Sequence, residues 1–134
     1  MAEETVVKEM LTQEMIQAGA EITRRLDEAH LEVRASLWLY IPDKNLWRLI
    51  VASPAVRRDG PKKVYQQIQT ILSKISDKPW KIPLYDISVV ADSDPLIAML
   101  RTSMGTKDGI SGRRFSRDTI NGHFIEDAYI YKMT

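Results

Sequence analysis

The chain has 134 residues, 44% hydrophobic and 28% charged, with a net charge of +1. That is the size and balance of one soluble globular domain, able to bury about two-thirds of its unfolded surface. It holds no cysteine, which excludes disulfides, thiolate metal sites and a cysteine nucleophile and fits a reducing compartment.

The near-zero net charge conceals an asymmetry. Residues 1–32 carry eight acids against three bases, and residues 33–134 carry sixteen bases against ten acids. One reading is an acidic helix solvated on a mildly basic body. The sharper one is a body that binds an anion, such as a nucleic acid, a nucleotide or an acidic partner. No apolar run approaches the roughly 18 residues that cross a bilayer. The opening Met-Ala-Glu-Glu-Thr lacks the basic-then-apolar order of a signal peptide. The expectation is a cytoplasmic protein with no membrane partner.

Val7, Leu11, Met15, Ala18, Ile22, Leu26 and Ala29 recur at steps of three and four, which predicts one long helix over 5–29. Gly19 sits among alanines and leaves a small surface for close packing. The stripe faces either the core or a second copy in a homodimer. Val33 to Ser53 reads as a hairpin turning at Pro42-Asp-Lys-Asn45. Its strands are apolar on both faces, since Trp38, Tyr40, Trp47, Leu49 and Val51 back the inward set. Such strands belong inside a sheet covered on both sides. Ser53 to Lys63 reads as a loop, and Gly60-Pro61 opens a second helix over 61–76. Lys62 and Lys63 fall in its first turn, where the helix dipole disfavours cations. After a proline-bearing connection around Trp80, Ile87–Ala91 is a short strand. Asp92-Ser-Asp-Pro95 then opens a third helix that stops at Gly105.

Polar chemistry concentrates in the last quarter. Asn121-Gly122 between alternating residues is a strong hairpin signal. A two-residue turn there pairs Ile120 with His123, Thr119 with Phe124, Arg117 with Glu126, Ser116 with Asp127, Phe115 with Ala128, Arg114 with Tyr129 and Arg113 with Ile130. A slip of one residue would exchange the faces. This register predicts an Arg117–Glu126 ion pair and a cation–π contact of Arg114 with Tyr129. Ser111, Arg113, Arg114, Ser116 and Arg117 form a candidate anion site, because the guanidinium fork matches phosphate. Arg57, Arg58, Lys62 and Lys63 form a second basic group, expected on the same rim. The alternative is an edge hairpin charged only to block aggregation.

Other chemistry is thinner. His123 near Asp127 or Glu126 has the makings of a general base. Asp92 and Asp94 fit either a magnesium site at a strand end or a helix cap. The two histidines have no metal-ligand spacing. There is no P-loop, dinucleotide fingerprint or nucleophile elbow, so no cofactor is expected and no reaction is assigned.

Residues 35–53, following a long helix, resemble the opening helix and hairpin of GAF-type sensory domains over about a third of the chain. The element order after them departs from that family. Trp38-Leu-Tyr, Ile50-Val-Ala-Ser-Pro54, Ile110-Ser-Gly112 and the run from Ile120 to Tyr131 resemble a group of small stand-alone bacterial proteins usually called hypothetical, a resemblance that implies no activity.

The predicted order α-β-β-α-β-α-β-β over residues 1–134 gives an α+β layered sandwich with a mixed, mainly antiparallel five-stranded sheet. Three functions fit: a binding module for an anionic partner; a metal-dependent phosphodiesterase or nuclease using Asp86, Asp92, Asp94 or Asp127; and an interaction protein dimerising through its first helix.

Overall fold

Thr12 decides where the first helix begins. Its Oγ1 accepts a hydrogen bond from the Met15 amide at 3.1 Å, the geometry of an N-cap. In the computed structural model, which describes residues 7–75, 82–104, 112–120 and 122–134, helix α1 therefore spans Gln13–Glu28. It is shorter than the predicted 5–29. Leu11 keeps the helical spacing but lies on a non-helical strap of residues 7–11, and Val7 is 77% exposed.

The apolar stripe of α1 faces its own sheet, with Ala18, Gly19, Ile22, Thr23 and Leu26 buried. Strands β1 (Ala35–Ile41) and β2 (Leu46–Ala52) pair antiparallel from Ala35↔Ala52 to Ile41↔Leu46. The predicted turn is a short 3₁₀ segment, Pro42–Lys44, closed by Asn45 in the left-handed region at φ 49°. The predicted loop after β2 holds a short helix, α2 (Ala55–Asp59). It is nucleated by Ser53, whose Oγ accepts from the Ala55 amide and donates to the Leu31 carbonyl. Gly60 at φ 87° then turns the chain into α3 (Pro61–Lys74), which starts at the predicted proline. Strand β3 (Ile87–Val90) joins β2 in parallel. Asp94 caps α4 (Pro95–Met104) by accepting from the Leu96 amide at 2.9 Å. Strands β4 (Arg113–Ile120) and β5 (His123–Met133) complete the sheet.

The strand order is β3-β2-β1-β5-β4, antiparallel except for β2–β3. This is the expected α+β architecture. The chain leaves the sheet at one edge as β3 and re-enters at the other as β4, and α4 is the crossover. Two cores result. Trp38, Tyr40, Trp47, Leu49, Val51 and Tyr131 meet α1 and α3 on one face. Ala35, Leu37, Ile50, Ala128 and Ile130 meet Ile97 and Leu100 of α4 on the other. Central β1 is thus buried on both sides, as its two apolar faces require.

The β4–β5 register agrees with the prediction, from Arg113↔Ile130 to Ile120↔His123. Gly122 in the turn has φ 80°, and Asn121 lies outside the described residues. The side-chain faces are not continuous, however. Arg114 and Ser116 join Asp127 on the face where Tyr129 meets the α1 core, yet Ile120 and Ile125 belong to the α4 core with Ala128. The switch falls at Arg117, whose φ of 51° is left-handed. The Arg117–Glu126 rung is missing there, so the expected ion pair does not form. Glu126 Oε2 is buried without a hydrogen-bond partner. A second irregularity, a bulge at Tyr131 opposite Ser36/Leu37, turns both Tyr131 and Lys132 toward α1.

Gly19 fixes how close α1 comes to the sheet. Trp38 Nε1 donates to the Met15 carbonyl at 3.1 Å, and Tyr131 Oη donates to the Ile16 carbonyl at 2.6 Å. A Cβ at Gly19 would collide with both the Tyr131 hydroxyl and the Trp38 indole nitrogen. Gly19→Ala is favoured by helix propensity by about 1 kcal/mol. Overpacking at a fully buried helix–sheet contact costs roughly 1–3 kcal/mol, and two hydrogen bonds are disturbed as well. The variant is expected to be less stable than wild type by urea unfolding; a gain in stability would show that the contact is loose.

Candidate functional site

Asp127 organises the polar chemistry of the β4–β5 hairpin. It sits on β5 and is 3% exposed. Arg114 on β4, its diagonal cross-strand neighbour, grips both carboxylate oxygens, Nε to Oδ1 at 3.0 Å and Nη2 to Oδ2 at 2.8 Å. Ser116 Oγ donates to Oδ1 at 3.2 Å. Lys8, from the strap before α1, donates to Oδ2 at 2.9 Å. Burial alone would push the Asp127 carboxyl up. Hydrogen bonds from Arg114 and Lys8, with their charges, outweigh burial and hold its pKa at about 2.

An aromatic row adjoins this centre. Tyr40 and Trp47 are cross-strand partners with ring centroids 5.4 Å apart. The Arg114 guanidinium lies 5.6 Å from the Trp47 ring, so the predicted cation–π contact is made with Trp47 rather than Tyr129. Lys8 Nζ lies 4.6 Å from the Tyr40 ring and 5.9 Å from that of Trp47.

The nine candidate anion-binding residues therefore divide. Arg114 and Ser116 are committed to Asp127. Arg113 and Arg117 are exposed on edge strand β4; Arg113 lies 5.0 Å over Phe115, and neither has a carboxylate partner among the described residues. Ser111 lies outside the described residues. Arg57 binds Asp92 through Nε and Nη2 at 2.9 and 3.1 Å, and Arg58 reaches Glu32 and Asp59. Lys62 and Lys63 are exposed in the first turn of α3, where Lys63 lines a shallow polar groove of about 370 Å³ with Asp59, Gln66, Gln67 and Thr70. Arg57 and Asp92 meet beside β3, whereas the β4 arginines line the opposite edge. Three strands separate β3 from β4, so the two basic groups do not share a rim.

The four aspartates considered for a metal are scattered. Asp92 is held below its ordinary pKa by the Arg57 hydrogen bond, Asp94 caps α4, and Asp127 is occupied by cations. Asp86 follows Tyr85 in a 3₁₀ turn, where burial pushes its carboxyl up against the pull of Arg48. Among the described residues no three His, Asp or Glu side chains come together as metal ligands. His123 is exposed beside Pro95, Leu96 and Met99 with no carboxylate partner among the described residues. The stripe of α1 that offered a dimer seam is buried in its own core.

Sequence reasoning paired Ser116 with Asp127 and put Tyr40 and Trp47 on one face of the first hairpin, but missed Lys8 and the meeting of that face with Asp127 and Arg114. The cross-strand register carried the first. No local pattern announces a contact across 119 positions.

No helix among the described residues is long and apolar enough to cross a membrane. The fold and site define an α+β protein whose arginine-bearing edge strand is anchored to a buried carboxylate. No family model, curated protein or solved structure matches the chain.

The depressed Asp127 pKa makes a pH prediction. A carboxylate with a folded pKa of about 2 and an ordinary value of 3.8 stabilises the fold above the ordinary value. That stabilisation, roughly 2 kcal/mol, is lost as pH falls through about 2. Asp127→Asn should therefore be less stable than wild type near pH 6, with the gap closing as the wild-type carboxyl protonates. A gap independent of pH would show that the charge on Asp127 does not matter.

Proposed function

We propose that the protein is a cytoplasmic binding module that recognises an anionic partner, nucleic acid in preference to a free nucleotide, through the outer surface of the β4–β5 hairpin. The carrying observation is that Arg113 and Arg117 project from an edge strand with no carboxylate on either guanidinium among the described residues, while Arg114 between them is neutralised by Asp127. Four residue steps, at most roughly 13 Å of extended strand, lie between the two. That is wider than one phosphate and favours a polymer over a mononucleotide. Phe124, paired with Thr119 on the adjoining strand, is 62% exposed and offers a stacking face of the kind that supports sequence-tolerant binding of single strands. Arg57, Arg58, Lys62 and Lys63 are set aside as primary contacts, since they flank the far edge and two of them already hold carboxylates.

This division of labour separates binding from stability. Arg113→Ala with Arg117→Ala should weaken binding to a single-stranded oligonucleotide. It should also lower the log–log salt slope by about one for each lost phosphate contact. The melting temperature should barely move, because exposed arginines contribute little to stability. Arg114→Ala should instead unfold earlier. Absence of wild-type binding at low salt, or an unchanged slope in the double variant, would remove this reading.

A further inference from the structure

Lys8 is held as a ligand is held. Its ammonium meets a carboxylate that is itself fixed by Arg114 and Ser116, and it lies against the rings of Tyr40 and Trp47. Desolvated aromatic faces and one carboxylate are the elements with which proteins recognise alkylammonium groups. The flanking residues are contacted only through their main chain. The Glu9 amide donates to Asn45 Oδ1 at 2.8 Å, Asn45 Nδ2 donates to the Val7 carbonyl at 2.9 Å, and Trp47 Nε1 donates to the Glu9 carbonyl at 2.9 Å. Tyr40 Oη donates to Asn45 Oδ1 at 2.6 Å and orients that amide. The Val7 side chain is 77% exposed, and Glu9 is exposed too. Three main-chain bonds would fit any residue at position 7 and any but proline at position 9; the contacts with Asp127 and the two rings call for a cationic side chain, which lysine supplies here.

We infer that Asn45, Tyr40, Trp47 and Asp127 form a receptor for a lysine-centred peptide segment, which residues 7–9 of the chain's own strap fill in this structure. The receptor is built on the sheet. Tyr40 and Trp47 are buried on paired strands, and Asn45 is the left-handed residue that closes their turn. The occupant is the removable part. Lys8 is 41% exposed at its side chain, and Met10 is as exposed as Val7. When Lys8 leaves, Arg114 still pairs with Asp127, so no uncompensated buried charge remains. A partner protein that presents a lysine flanked by open main chain can therefore replace the strap, and the strap limits access until it does. This receptor uses none of the exposed arginines proposed to bind nucleic acid and stands independently of that reading.

The test uses the full chain with its strap disabled. Lys8→Ala removes the ammonium, and Glu9→Pro removes the amide that Asn45 accepts. The probe is the capped tripeptide acetyl-Val-Lys-Glu-amide, with an analogue carrying norleucine for lysine. A tethered strap competes at an effective concentration on the order of millimolar, so the double variant should bind the lysine peptide roughly tenfold or more tighter than wild type. The norleucine peptide should not bind. Titration is followed by the Trp47 indole N–H resonance. Equal affinity of wild type and variant, no binding to a variant whose near-ultraviolet circular dichroism is native, or equal binding of the norleucine peptide would overturn the inference. A wild-type dimer that dissociates in the double variant would also overturn it, since the strap would then serve a second copy. If the double variant does not fold, the wild type is titrated to saturation. The inference then requires the Glu9 amide resonance to leave its bound position, and a stationary resonance refutes it.

Discussion

At Gly19 helix α1 meets the sheet with its backbone, between the buried side chains of Ala18, Ile22 and Leu26, and that close approach sets the geometry of the first core. The Trp38 indole and Tyr131 hydroxyl each donate to a carbonyl in the first turn of α1. Both are large, buried aromatics with one polar atom that must find a partner. The glycine lets them reach it. Thr23, one turn on, shares a hydrogen bond with Ser36 at 2.7 Å and donates to the Gly19 carbonyl, so the polar atoms between α1 and β1 are satisfied as a set. Burial pushes the Tyr131 hydroxyl well above its ordinary pKa, so it remains a donor. Because Tyr131 is the bulged residue of β5, the same contact ties the placement of the helix to the register of β5 on β1.

Periodicity and turn chemistry made most of this architecture legible. Pro42 to Asn45, Gly60-Pro61 and Asp94-Pro95 mark element boundaries because each satisfies a local backbone demand. The first helix was over-extended because Val7 and Leu11 keep helical spacing. Periodicity records where apolar residues would fall on a helix, and the cap at Thr12 decides whether that helix exists. The hairpin register was legible from its turn, but its faces were not. Alternation assumes an unbroken pleat, and Arg117 breaks it with a residue type that gives no warning of a positive φ.

The candidate site was legible as a composition and illegible as an arrangement. The hairpin register already put Arg114 on the opposite face from Arg113 and Arg117, yet all three were grouped in one anion site. The fold separates them by which face of a kinked strand each occupies: Arg114 toward Asp127, Arg113 and Arg117 toward solvent. The second basic group failed to join them because β3 and β4 occupy opposite edges, a property of strand order that local sequence does not encode. The pairing of Tyr40 with Trp47 was legible from alternation, but their meeting with Lys8 was not, for the same reason.

The central position of β5 also has a kinetic consequence. Strands β1, β2 and β3 with α1 and α3 can form a compact unit from the first two-thirds of the chain. In that unit β1 is an open edge, with Leu37 and Leu39 paired to β2 but lacking their β5 partners Ile130 and Ala128. Closure waits for β5, whose residues pair with β1 across 89 to 98 positions, from Leu39↔Ala128 to Ala35↔Met133. Such nonlocal closure is slow in folding, and an unpaired apolar edge invites pairing with another molecule in the interval. The charged hairpin partner β4 covers the far side of β5, so the strand that seals the sheet arrives with its own outer edge already protected.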